Sequence, residues 1–230
     1  MPPTAPVRAS SRAFLARARA HLHEGAVDSL LCAALNLRLG IEARLHEYLD
    51  AAEQVSALKK RGWQVSRLAK DIERVFSVKG KIATVTVLRD DGSPLRTLLY
   101  TPVSSRARAI VERLGDYLHF TPRFRPRDQA WQTALTELVN EGVGELAAAT
   151  TGTLLGPPML DGATGQGSIL AEILEGEDFE AQRTLLGEPG QTVTFKVDYL
   201  ENIPDGQPGV QESGTGAIVG NRRESTNDVR

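Results

Sequence analysis

Apolar positions in the first part of the chain recur at three- and four-residue steps, the spacing of one helix face. Phe14, Leu15, Ala18 and Leu22 form such a face. Ser10 or Ser11 can cap its start and Gly25 stands just past its end, so a helix is expected through about His23. The longest periodic run follows: Val27, Leu30, Leu31, Ala34, Leu37, Ile41, Leu45, Tyr48, Leu49 and Ala52. It predicts a helix over about 27–55, roughly 40 Å long. Gly40 lies inside it at a cost of roughly 1 kcal/mol against Ala, and a close helix crossing is the expected reason. LKKRGW breaks the pattern, and then Leu68, Ile72, Val75 and Phe76 predict a short amphipathic helix over 65–76.

The period next changes to that of a strand. Ile82 to Leu88 is β-branched, Arg89 to Pro94 is turn chemistry centred on Asp91-Gly92, and Leu95 to Tyr100 returns. This predicts a β-hairpin with a loop of four to six residues. Two further helices are expected. One is capped by Ser104 or Ser105, with Ile110, Val111, Leu114, Tyr117 and Leu118 inward; the other runs from about Asp128 to Ala149, with Trp131, Leu135, Leu138 and Val139. Gly142 and Gly144 weaken the second. TPRFRPRD, with Pro122 and Pro126, reads as an exposed basic loop between them. Beyond Thr150 helical periodicity stops. Segments 168–174 and 192–200 read as strands, the second alternating Val193, Phe195 and Val197 with Thr192, Thr194, Lys196 and Asp198.

These elements define an α+β chain: a mainly helical bundle with an inserted β-hairpin, then a small β-rich region. The expected organisation is a flexible N-terminus over 1–9, a helical domain over 10–150 with its hairpin at about 82–100, an acidic β-rich region over 151–204, and a disordered tail over 205–230.

Composition narrows the class. A hydrophobic share of 41% with 24% charged residues excludes a disordered or collagen-like chain. No apolar run is long enough to span a membrane and no signal sequence is visible, so a cytoplasmic protein with no membrane partner is expected. Charge is uneven. Residues 1–130 carry 22 Lys+Arg and 13 Asp+Glu, whereas residues 131–230 carry 5 and 16. A basic half can meet nucleic acid; equally, opposite halves can attract each other within a chain or between subunits.

Two groups of residues could carry chemistry. Arg38, Glu42 and His46 stand at four-residue steps on the long helix, so they share a face. A carboxylate beside an imidazole could tune acid–base work; the alternative is a supporting charge ladder on the rim of the buried face. Arg113, Asp116 and His119 lie at the end of a later helix. There Arg113 could hold a phosphate and His119 act as acid or base, or His119 could simply cap the last turn. Arg123, Arg125 and Arg127 follow directly and are candidates for nucleic-acid contacts. The four histidines, at 21, 23, 46 and 119, do not cluster at ligand spacing, so no metal site and no cofactor is expected. Cys32, the single cysteine, lies in an apolar run and is expected to be buried.

Leu37-Arg38-Leu-Gly-Ile-Glu42 and Leu114-Gly-Asp-Tyr-Leu-His119 together resemble two helical segments of a bacterial family within the HEPN-like domains, over about residues 27–125. The resemblance implies a bundle of four or five helices. Active relatives are metal-independent RNases with Arg, four to six residues, then His; Arg113 and His119 satisfy that spacing. The residue after the Arg is polar in such relatives and is Leu114 here. The resemblance therefore implies a non-catalytic accessory or phage-defence-type protein that binds nucleic acid or nucleotide through its basic helices. An RNase using Arg113 and His119, and a non-enzymatic protein–protein assembly module, are the alternatives. Expected partners are RNA or DNA and a second copy of the chain.

Overall fold

The structure is a computed structural model, and it describes residues 10–51, 65–76, 80–89, 91–119, 128–160, 166–174, 194–203 and 215–224. Among these, five helices and six strands form: α1 (Ser11–Glu24), α2 (Val27–Ala51), α3 (Val65–Phe76), β1 (Ile82–Leu88), β2 (Pro94–Tyr100), α4 (Ser105–Leu118), α5 (Gln129–Thr151), β3 (Met159–Leu160), β4 (Gln166–Leu174), β5 (Thr194–Leu200) and β6 (Thr215–Glu224). The fold is α+β and mainly helical. The N-terminal segment 1–9, the LKKRGW break, the side chains of Val75 and Phe76, and strand positions 192–193 lie outside the described residues.

Contacts divide the chain into two compact units. The first contains residues 1–49, 56–71 and 103–150, and so α1, most of α2, the first part of α3, α4 and all but the last residue of α5. Its local structure follows from side chains at the helix starts. Ser10 caps α1 by accepting from the Ala13 N–H at 3.2 Å, and Gly25 ends it at φ 72°, a conformation that costs glycine little. Ser104 caps α4 by accepting from the Ala107 N–H at 2.9 Å, and its hydroxyl also donates to Glu145 on α5. The core contains the expected apolar positions Leu37, Ile41, Leu45, Tyr48, Ile110, Leu114, Leu135 and Leu138, all buried, and Leu146 in addition.

Two glycines mark where the helices cross. A Cβ on Gly40 would stand 2.6 Å from Leu146 of α5 and 3.1 Å from Phe14 of α1. The crossing expected from the sequence is therefore present. A Cβ on Gly142 of α5 would collide with the Leu37 side chain and stand 3.0 Å from Ile110. Gly142 is a packing device rather than a weak point, and α5 runs unbroken through it. Gly142→Val should destabilise the fold by about 1–3 kcal/mol, the cost of overpacking a filled core; a urea midpoint equal to that of the parent protein would show that this crossing has slack.

The second unit contains residues 50–55, 72–102 and 151–230. The β1–β2 hairpin forms as expected. Its loop is tightened by Asp91, which accepts from the Ser93 N–H at 2.8 Å, and by Gly92 at φ 79°. Its placement differs from expectation. β1 is the middle strand of a sheet ordered β2-β1-β5, paired antiparallel on both sides. The hairpin is inserted between helices in sequence, but its contacts place it with the C-terminal region and not in the helical domain over 10–150. The reason lies in β1 itself: Ile82, Ala83, Thr84, Val85 and Val87 are all buried. Burial leaves the main-chain N–H and C=O groups on its outer edge without water, so a second strand on that edge is needed to satisfy them.

A second sheet, ordered β3-β4-β6, also lies in this unit. Main-chain bonds connect it to the first. The Leu154 N–H donates to Leu99 O of β2 at 3.0 Å, and Leu155 N–H to Leu170 O of β4 at 2.9 Å. Within the segment read as a disordered tail over 205–230, residues 215–224 form a strand, β6, and the rest lies outside the described residues. Thr215–Glu224 pairs antiparallel with the whole of β4, Val219 opposite Leu170 and Ile218 opposite Ala171. The short apolar run Ala217-Ile218-Val219 has strand propensity, which the surrounding Gly and polar residues dilute in any average over the tail.

Candidate functional site

The structure rearranges the two groups of residues read from the sequence. Arg38 and Glu42 do form an ion pair on α2, with Arg38 Nε 3.1 Å from Glu42 Oε1 and both side chains less than one-fifth exposed. His119, from the end of α4, completes the group. Its Nε2 lies 3.5 Å from Arg38 Nη1. The imidazole crosses Gly115, where an added Cβ would stand 3.4 Å from His119 Cδ2 and 3.7 Å from Arg38 Nη1. The site is therefore Arg38, Glu42 and His119 on a glycine floor.

Local structure sets each member. Arg38 follows the buried Leu37 at the edge of the α2 core face, and Glu42 sits one turn later and holds its Nε edge. Fixing that edge leaves Nη1 directed at His119. His119 is the residue after the last turn of α4. Its backbone is extended at φ −83° and ψ 143°, and its N–H donates to Gly115 O. The main chain of His119 thus closes the helix, while its ring turns to Arg38.

Arg113 does not join this group. It is exposed, and its charge acts on Glu141 of α5. The Glu141 carboxyl is held below the ordinary carboxylate range, chiefly by the hydrogen bond from Arg106 Nε at 2.6 Å and in lesser part by the Arg113 charge. This contribution to folding is present above the ordinary carboxylate pKa and fades on acidification through the lowered value. No hydrogen bond or ion pair joins Arg113 to His119 among the described residues. Asp116 is exposed on α4. His46 lies one turn beyond Glu42, half-buried, and its Nδ1 has no hydrogen-bond partner among the described residues. Arg123, Arg125 and Arg127 lie outside the described residues.

Two sequence expectations change. Cys32 is exposed and not buried. Arg44, which sequence reading passed over, is fully buried. Its Nε donates to Tyr48 Oη at 2.9 Å and to Ala149 O of α5 at 3.1 Å, and its Nη1 pairs with Glu47 at 3.1 Å. Glu47 in turn accepts from the Ser11 N–H at 2.7 Å and the Ser11 hydroxyl at 2.8 Å. This network ties α1, α2 and α5 together and offers nothing to a ligand. Its signal was positional: Arg44 falls three residues after Ile41 and four before Tyr48, on the buried face.

The arrangement can do two things. With His119 neutral and Nε2 unprotonated, Arg38 can donate to the ring and the contact is closed. With a proton on Nε2, both groups present N–H donors to one point, and an oxyanion between them would accept from both. The charge of the unit favours the second use, since its residues carry 17 Lys+Arg against 11 Asp+Glu, a formal +6; the other unit carries 10 against 18, a formal −8. Among the described residues no group of His, Cys, Asp and Glu could hold a metal ion, and no helix is long and apolar enough to cross a membrane. No protein family, curated protein or solved structure matches the chain.

Proposed function

We propose that the helical unit is a non-catalytic binding module for nucleic acid or nucleotide, of the HEPN-like kind, and that it serves a bacterial accessory or defence role. The observation that carries this reading is the convergence of Arg38 and His119 from two helices, with Glu42 fixing the guanidinium. Paired nitrogen donors on a basic unit suit a phosphate oxygen. Arg113 is exposed and makes no hydrogen bond or ion pair with His119 among the described residues, which weighs against an RNase built on the two.

Salt dependence tests the reading. Fluorescence anisotropy of labelled RNA and DNA with the full chain should show binding at low salt, and the logarithm of the affinity should fall linearly with the logarithm of salt concentration. Labelled RNA incubated with the protein and a chelator should stay intact. No binding to either nucleic acid at low salt would end the proposal. Cleavage lost on His119→Ala would replace it with the RNase reading.

A further inference from the structure

β5 is an edge strand. It pairs with β1 on one side, and among the described residues no strand pairs with its other side. Its register with β1 sorts its side chains. Phe195, Val197 and Tyr199 stand opposite Val87, Val85 and Ala83, while Lys196 and Asp198 stand opposite Thr86 and Thr84 on the other face. The main chain alternates as well. Leu99 O of β2 accepts from the Leu154 N–H and so faces away from β1. Thr84, opposite Leu99, therefore turns its main chain to Asp198 of β5, whose carbonyl the Thr84 hydroxyl also reaches at 3.4 Å. Phe195, Val197 and Tyr199 consequently hold their N–H and C=O groups at the outer edge. Tyr199 is 51% exposed, one of two large apolar side chains so exposed among the described residues. Lys196 Nζ lies 3.0 Å from Asp198 Oδ2.

An open edge with unpaired main-chain groups is a template for another strand. The sequence of β5 is self-complementary about Val197. A second β5 laid antiparallel along it, with Val197 facing the partner's Val197, sets Lys196 against the partner's Asp198 and Tyr199 against the partner's Phe195, each of them twice. Sliding by two residues opposes Lys196 to the partner's Lys196 in one direction and Asp198 to the partner's Asp198 in the other. Sliding by one residue lays the apolar face on the charged one. We propose that β5 joins two copies of this chain, antiparallel about a two-fold axis at Val197, so that two three-stranded sheets become one of six strands. Opposite charges and apolar side chains directly across from each other both favour this match, and the charges set register and partner choice more than affinity. A seven-residue edge pair is smaller than a standard protein interface, so the dimer is reversible. It does not depend on phosphate binding.

Sedimentation velocity of the full chain tests the dimer. The parent protein should pass from monomer to dimer with rising concentration, and amide exchange at Phe195, Val197 and Tyr199 should slow over the same range. Lys196→Asp and Asp198→Lys each oppose like charges across the two-fold axis, and each alone should weaken the dimer about tenfold or more. Mixed in equal amounts, the two variants should associate again, because the acidic strand of one then faces the basic strand of the other. Both side chains are exposed, at 67% and 43%, so circular dichroism of each variant should match that of the parent protein. Recovery in the mixture cannot come from refolding of either chain, since each keeps its own like-charged neighbours. A monomer at every concentration, a dimer that neither reversal weakens, or a mixture of the variants that stays monomeric would each overturn the proposal.

Discussion

Arg44→Ala is expected to destabilise the helical unit by about 3–5 kcal/mol, the cost of breaking a buried ion pair from one side. The guanidinium is wholly buried, lies 4.7 Å from the Tyr48 ring centre, and supplies donors to Tyr48, Ala149 and Glu47. Removing it leaves a void, the Ala149 carbonyl with the Tyr48 hydroxyl as remaining donor at 3.3 Å, and a Glu47 carboxylate without its cation. Arg44→Lys should recover little, because one ammonium cannot span three acceptors in a fork. Arg44→Met fills the volume without donors and should fall between. The urea midpoint of the full chain measures all three. A shift worth less than about 1 kcal/mol for Arg44→Ala would mean that α1, α2 and α5 are held by apolar packing alone.

Ile41→Ala should cost about 2–5 kcal/mol, as a large-to-small change in a packed core does, since the side chain has no solvent exposure. Arg38→Ala, three residues earlier, should cost less than about 1 kcal/mol, the range of a partly exposed helix ion pair. The contrast matters for function. If both changes cost several kcal/mol, Arg38 is a structural residue and any loss of binding in its variant reports unfolding. If only Ile41→Ala is costly, Arg38 variants can be read as changes in the site.

Elements legible in the sequence are those set by local chemistry. Ser10 and Ser104 announced their helices, Asp91-Gly92 announced the turn, and Gly40 announced a crossing, because each acts through neighbours in the chain or through an evident cost. What was not legible depends on partners far away in sequence. β1 looks like half of a hairpin until β5, more than a hundred residues later, is laid against its other edge. His119 and Arg38 are separated by 81 residues; spacing along α4 joined His119 to Arg113 because both belong to the same local segment. The α4 termination turns the His119 ring to α2, and among the described residues Arg113 makes no hydrogen bond or ion pair with it. Arg44 escaped because a face defined by apolar residues skips a cation, although its place between Ile41 and Tyr48 fixed its burial. Cys32 was misplaced for the converse reason: an apolar neighbourhood in sequence says nothing about which side of the helix a residue takes.

The central claim is that Arg38 and His119 act together on one phosphate. A double-mutant cycle on nucleic-acid affinity tests it, using anisotropy at low salt with the parent protein, Arg38→Ala, His119→Ala and the double variant. Each single change should weaken binding about tenfold, the scale of one lost charge-assisted hydrogen bond. If the two donors share a phosphate, the double variant should be little weaker than either single one, since the losses overlap. Losses that multiply would show that the two residues bind independently, and affinity unchanged in all three variants would contradict the site itself.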